Sequence, residues 1–368
     1  MEVMFEKFIQ LCDVFCIKGT VKDVSVISNG NINTTYDVNV EENGVVRRYV
    51  FQNLNIFVFK NPKRIMTNIK YITEHIAQKL EESGDSRDKV MHFLQTSSGQ
   101  NYYMEDQGFW RISEYVANTV AINSADNLEK LREAGRAFGK FQTMLSDFDA
   151  TLLYETIPNF HNTRSRIAVF LRHVNEDPCG RAEQVTDEIE GIKRMRPLAI
   201  RLNELLDSQE LPLRVTHNDT KINNVLFDKD TGEAKTVIDL DTVMPGLVAH
   251  DFGDAIRFAA STTAEDEKDL TKVSLDMDKY RAFAEGFVPQ VVSTLTDTEI
   301  ETMALGAFVM TVELAVRFLD DYITGDVYFK TLYRDHNLVR ARCQLRLAED
   351  MYQKLDEMNA IIAKIAKA

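Results

Sequence analysis

RVTHNDTKINNVLFD (214–228), followed closely by AKTVIDLDTVMPG (234–246), is the stretch on which the reading of the whole chain turns. Apolar runs flank the polar loop HNDTKINN (217–224) and read as short buried strands that present the loop at their ends. Asp230, Thr231 and Gly232 form a turn that sends the chain back along the second of these strands. The loop places a carboxylate, Asp219, five residues before an amide, Asn224. A second carboxylate, Asp239, ends the next strand, 20 residues after Asp219. In an extended segment Asp241, two residues further on, faces the same way as Asp239.

That pattern has a chemical reading. Phosphoryl transfer of the kinase type needs a carboxylate beside the acceptor hydroxyl and an amide oxygen a few residues on to hold Mg²⁺. A second carboxylate must reach the metal that bridges the β- and γ-phosphates. Spacing of the form H-x-D-x-x-x-x-N supplies the first two on one loop. Asp219 is therefore the candidate base, and Asn224 and Asp239 are the candidate metal ligands. His217 is expected to brace the loop. A lone Asp in a loop is usually a turn former, so the inference rests on the combination. Asp241 is a candidate for metal or substrate contact, or simply lines an acidic cleft. Asp251, in HDFGD (250–254), reads as a helix N-cap that also ties down the catalytic loop. The triplet DFG there lies too late to carry the metal, and Asp239 holds that place.

Outward from this stretch, the texture divides the chain. VKDVSVIS (21–28), TTYDVNV (34–40) and VVRRYVFQN (45–53) alternate as strands, with Glu42, Asn43 and Gly44 as a hairpin turn. An amphipathic helix is predicted over Pro62 to Glu82. Strand-like pieces follow at VMHFLQ (90–95) and FWRISEYV (109–116). From about Asn118 helical periodicity dominates, as in NLEKLREAGRAFGKFQTML (127–145). The expected architecture is α+β: an antiparallel β lobe over residues 1–116 and a mainly helical lobe over 117–368 that carries the loop.

The polar run Ser28 to Tyr36 sits between two strands, where Asn29, Gly30, Asn31 and Thr34 offer backbone N–H groups to phosphate oxygens. A kinase lobe usually has a Lys on its third strand. Here that strand carries Gln52, so either Arg47, Arg48 or Lys60 substitutes or the metal carries the load.

Composition bounds the partners. The chain has 368 residues with a net charge of −14, from 43 basic and 57 acidic side chains. Such a surface repels nucleic acid and anionic membranes. The four cysteines have no zinc or disulfide spacing, and no run of 18 apolar residues occurs. The N-terminal stretch is acidic and amphipathic, unlike a secretory signal, so a cytoplasmic location is expected. Either a monomer or a homodimer fits.

Taken together, these stretches resemble the aminoglycoside phosphotransferase-like kinases, which include choline and homoserine kinases, and within them the N-acetylhexosamine 1-kinases. The catalytic loop carries the wider resemblance. DFGDAIRFAAST (251–262), AEDEKDL (264–270), RFLDDYITGDVYFKT (317–331) and HNLVRARCQ (336–344) carry the narrower one. NINTTY (31–36) and EAGRAFGKFQTMLSDFD (133–149) are weaker matches. The resemblance implies a protein-kinase-like bilobal fold with ATP between the lobes and adenine against backbone near Glu114 and Val116. It implies Mg²⁺ on Asn224 and Asp239. It also implies that Asp219 acts on the anomeric hydroxyl of N-acetylglucosamine or N-acetylgalactosamine. The family loop has a His before Ile-Asn-Thr-Thr-Tyr where this chain has Asn31.

By spacing alone, Arg317 in VELAVRFLDDY (312–322) reads as an ion pair with Asp320 or Asp321; the resemblance points instead to a sugar contact. Asn31, Asn33, Tyr328 and Arg257 are further sugar candidates. The alternatives are a kinase of another alcohol (an aminoglycoside, homoserine or choline), a non-catalytic nucleotide-binding module, and a metal-dependent phosphohydrolase.

Overall fold

Helix α1 (Glu2–Val14) and strands β1 (Thr20–Ile27), β2 (Thr34–Glu42) and β3 (Val45–Asn53) open the chain. The computed structural model describes residues 2–27, 33–105, 108–123 and 127–368. Asn43 and Gly44 both take positive φ, 54° and 79°, so the β2–β3 turn has the handedness that matches strand twist. Helix α2 (Pro62–Glu82) follows with the predicted bounds and Pro62 in its first turn, where the missing N–H is harmless. Strands β4 (Tyr103–Glu105) and β5 (Gly108–Glu114) complete an antiparallel sheet of order β1-β2-β3-β5-β4.

Alternation splits the faces of this sheet. Val38, Val40, Phe51, Trp110 and Ile112 face Phe8 and Leu11 of α1 in a small outer core. Phe109 faces the other way and joins Ile65, Ile69 and Ile72 of α2 in the large core, which continues into the helical half. VMHFLQ is not a strand; only Phe93 makes an isolated bridge, to Ser113.

The helical half begins after β6 (Thr119–Ala121) with α3 (Leu128–Met144), α4 (Thr163–Glu176), α5 (Thr186–Ala199) and α6 (Arg201–Asp207). Then come β7 (Arg214–Thr216), β8 (Val225–Asp228), β9 (Ala234–Val237) and β10 (Met244–Gly246). Helices α7 (Val248–Ala259), α8 (Met277–Val291), α9 (Asp297–Glu301), α10 (Met303–Ile323) and α11 (His336–Ala366) close the chain. The turn at 230–232 joins β8 to β9 as expected, but β7 pairs with β10, and β8 also pairs with β6.

Helix α10 is buried nearly all round and centres this half. Its Gly306 meets α7 at close range: a Cβ at Gly306 would lie 2.0 Å from the Ala249 carbonyl, and one at Gly253 would lie 2.3 Å from the Gly306 carbonyl. Only glycine at both positions permits that approach, which presses α7 against the loop it supports. Among the described residues no helix is long and apolar enough to cross a membrane. All four cysteines are free thiols.

Candidate active site

The loop after β7 is held by a single buried carboxylate. Asp251 accepts the backbone N–H of His217 (2.8 Å) and of Asn218 (2.7 Å), and the Gln142 amide (2.6 Å). The Thr220 hydroxyl donates to the Asp251 carbonyl. Burial pushes the Asp251 carboxyl up, opposed by His217 and the two backbone N–H groups. Asp251 lies in the first turn of α7 and is not its N-cap, which is Leu247. The helix therefore starts one turn earlier than the sequence suggested, and the carboxylate is free to serve the loop.

His217 is fully buried between Phe138 and Phe141, whose rings meet it edge-on. Its Nδ1 faces the Asp219 N–H at 3.3 Å and its Nε2 faces the Ile238 carbonyl at 2.9 Å. Nδ1 must therefore accept and Nε2 donate, which ties the loop to the segment that carries Asp239. Asn218 takes a left-handed φ of 63° and donates to the Thr242 carbonyl at 2.9 Å.

These contacts put Asp219, Asn224 and Asp239 together. Asp219 Oδ1 lies 2.8 Å from Lys221 Nζ, and Asn224 Nδ2 donates to Asp219 Oδ2 at 3.2 Å. Burial alone would raise the Asp219 carboxyl, but Lys221, His217 and Asn224 outweigh it and hold the group below its ordinary range. Asp219 is thus anionic, as a proton acceptor must be. Lys221 was not singled out from the sequence, although its place two residues after Asp219 was visible there.

Asp239 sits at φ 61° in a left-handed turn. Its carboxyl is pushed up to about 6, first by the crowding of protein around it and then by Asp241 and Asp219. Its side chain is nonetheless exposed to solvent. Among the described residues its oxygens accept no hydrogen bond and meet no cation. Asn224 spends its amide N–H groups on Asp219, so its Oδ1 is left as an acceptor. A carboxylate and an amide oxygen, both unpartnered, suit Mg²⁺, which keeps several waters and takes its remaining ligands from phosphates. No cluster of three or more His, Cys, Asp or Glu among the described residues is placed to hold a metal by itself.

Asp241 does not face the same way as Asp239. The left-handed turn and a short 3-10 turn at Leu240–Thr242 rotate it into the protein. There it is buried, paired with Arg111, and accepts the Asn33 amide at 2.7 Å. Arg111 comes from β5 and also donates to Gln52 at 2.9 Å. The three cations proposed to replace a third-strand Lys are elsewhere. Arg48 pairs with Asp37 and stacks on Tyr115, Arg47 lies 4.0 Å from Glu42, and Lys60 is exposed.

Arg317 projects among the rings of Phe160, Phe329 and Tyr328 at 5.6, 5.4 and 5.9 Å. Neither nearby aspartate pairs with it. Asp320 takes His173, and Asp321 accepts the N–H groups of Val327, Tyr328 and Phe329. The simple ion-pair reading of Arg317 is therefore not what the fold contains. Arg257, by contrast, is buried and paired with Asp254 and Glu265. Beneath Arg317, Glu313 binds His161 (2.9 Å) and Thr163 (2.6 Å), and His161 Nε2 faces the Asn218 carbonyl at 3.2 Å. Burial would raise Glu313, but His161, Arg166 and Arg317 bring it down to about 2. This buried chain links the Arg317 region to the catalytic loop and carried no sequence signal.

Glu114 ends β5 beside His92 (3.2 Å). The Val116 carbonyl accepts the Thr119 hydroxyl at 2.8 Å, while its N–H has no partner among the described residues. Thr34 opens β2 opposite Asn53. Asn29, Gly30 and Asn31 lie outside the described residues. A cavity of about 210 Å³ between α2, α3 and β9 reaches Leu240 and Phe141 but none of the three candidate catalytic and metal residues.

Comparison with known proteins bears on the family and the fold. Residues 23–283 match the model of the phosphotransferase enzyme family. The fold is similar to that of a microcompartment-associated aminopropanol kinase (TM-score 0.60, 16% identity, 95% of this chain and 98% of that one). It is also similar to a choline kinase from Cryptosporidium parvum Iowa II (TM-score 0.57, 12% identity, 99% of each chain). A third similar structure is a spectinomycin phosphotransferase in complex with ADP and spectinomycin (TM-score 0.52, 13% identity, 99% and 97%). With its antiparallel N-terminal sheet, its mainly helical remainder and this match over most of its length, the chain belongs to the phosphotransferase enzyme family.

Proposed function

We propose that the chain is an ATP- and Mg²⁺-dependent kinase that phosphorylates the anomeric hydroxyl of an N-acetylated hexosamine, N-acetylglucosamine or N-acetylgalactosamine, to give the sugar 1-phosphate. The observation that carries the choice of acceptor is Arg317. Its guanidinium lies among three aromatic rings and makes no direct ion pair with a carboxylate among the described residues, and so offers hydrogen bonds to a neutral polar ligand. A quaternary ammonium or a polycationic aminoglycoside would be repelled by that charge, although the rings alone would suit a cation. Tyr328 and Asn31 are the further sugar contacts in this reading, while Asn33 and Asp241 are held by each other, by Asn55 and by Arg111.

ATP would lie between residues 1–116 and 117–368. The Val116 N–H, without a partner among the described residues, and the backbone at Glu114 would take the adenine, and Asn29, Gly30, Asn31 and Thr34 would serve the phosphates. Asn224 and Asp239 would hold Mg²⁺, which when bound neutralises charge developing on the phosphate oxygens. Asp219 accepts the proton of the anomeric O–H as that oxygen bonds the γ-phosphorus and ADP departs. Lys221 keeps Asp219 anionic until the hydroxyl arrives. His217 and Asp251 hold the loop in register and touch no substrate.

The test is a ³¹P experiment with ATP, Mg²⁺ and a panel of alcohols. The expected product shows a phosphorus resonance split by an anomeric proton with either amino sugar. Turnover of aminoglycoside, homoserine or choline with none of the sugars would overturn the acceptor assignment.

A further inference from the structure

We propose that Arg111 and Asp241 form an inter-lobe ion pair that aims Asp239 at the nucleotide's metal, so that β5 supplies the cation a third-strand lysine would otherwise provide. The proposal rests on the nucleotide and Mg²⁺ reading above. It begins from register. Gln52, which stands on β3 where that lysine is expected, is the cross-strand neighbour of Arg111 on β5. Trp110 and Ile112 point into the outer core, so Arg111 points into the cleft side, as alternation requires.

The pair is held from several sides. Arg111 donates to Gln52 and Asp241, and its guanidinium lies 5.5 Å over the ring of Phe93. The second oxygen of Asp241 takes the Asn33 amide, whose own carbonyl accepts the Asn55 N–H at 3.0 Å. Both oxygens of a carboxylate from the helical half are thus held by side chains of the N-terminal sheet. Arg111 and Asp241 are each 3% exposed. A pair that deeply buried is seldom more stable than two well-packed apolar residues, so stability alone does not account for it.

Its position does account for it. Asp239 holds a left-handed conformation that is costly for a non-glycine residue. The turn that follows is pinned at two points: Asp241 by Arg111 and Asn33, and Thr242 through its hydroxyl to the His217 carbonyl at 2.6 Å. With Asp241 anchored two residues away, the Asp239 carboxylate is left facing the cleft. Arg111 also neutralises one of three carboxylates, 219, 239 and 241, that crowd this spot. It is a positioning residue, acting on the metal site through Asp241.

The experiment measures binding of a fluorescent ADP analogue across a Mg²⁺ titration, which needs no acceptor. In Arg111→Gln the Mg²⁺-dependent part of the affinity should fall at least tenfold, while binding in EDTA stays within twofold of wild type. Adding Gln52→Lys to Arg111→Gln should recover most of the loss, because the new amine reaches the same carboxylate. Asp241→Asn keeps shape and the Asn33 contact and should reproduce the loss; it decides the matter if Arg111→Gln does not fold. Mg²⁺ dependence within twofold of wild type in the folded variants, or no recovery with Gln52→Lys, overturns the proposal alone. Wild-type protein that binds no nucleotide overturns it together with the nucleotide reading.

Discussion

Replacing Asp239 with Asn should make the metal-free protein more stable at neutral pH. Asp239 titrates near 6 in the fold against an ordinary value of 3.8, with crowding as the main cause and Asp241 and Asp219 next. A raised carboxyl favours its protonated form in the fold. The folded state is therefore unpenalised below pH 3.8 and loses stability as pH rises to about 6, after which the loss is constant. The unscreened loss is about 3 kcal/mol; access of solvent to the carboxylate reduces it to about 1 kcal/mol. Asn imitates the protonated acid and removes the loss. In EDTA at pH 7.5, urea unfolding should show Asp239→Asn more stable by about 1 kcal/mol, or about 1–2 °C in Tm for a chain of this size. At pH 4 the two proteins should converge. Added Mg²⁺ and ADP should reverse the order, because only wild type gains the metal. If Asp239→Asn were the less stable protein in EDTA at pH 7.5, Asp239 would have a stabilising partner and the metal-site argument would fail.

Other perturbations read other parts of the site. Asp219→Asn should lower kcat by about 10²–10⁴-fold while ADP affinity changes little, since a proton acceptor is lost but its shape is kept; unchanged turnover would show that Asp219 is not the base. Asp251→Ala strands two loop N–H groups and the Gln142 amide, and should cost about 3 kcal/mol or more in urea unfolding. Arg317→Met keeps the apolar packing and should raise the sugar KM tenfold or more with the ATP KM unmoved; equal effects on both would point to a structural role. Gly306→Ala forces a methyl to within 2.0 Å of the Ala249 carbonyl, so α7 must shift and the melting temperature should drop.

Some of this was legible because it is local. The Asn43-Gly44 turn, the bounds of α2 and the polar loop between apolar strands all depend on residues a few positions apart. Of the three-residue strands, β7 was legible from the apolar run beside the polar loop, whereas β4, β6 and β10 were not, because each exists only through its partner. VMHFLQ shows the converse: its composition suits a strand, but only Phe93 finds a bridge.

The candidate site divides in the same way. That Asp219, Asn224 and Asp239 stand at a spacing suited to phosphoryl transfer is written in the chain, since one loop and one hairpin carry all three. What the sequence could not decide is how each carboxylate is spent. Asp241 is two residues from Asp239, yet a left-handed turn sends one to the cleft and the other to Arg111, 130 positions away. Asp251 serves the loop instead of its helix, and Arg317 ignores the aspartates beside it. Each outcome depends on which donors tertiary packing brings within about 3 Å, and a buried carboxylate pairs with the donor that is near in space, whatever is near in sequence.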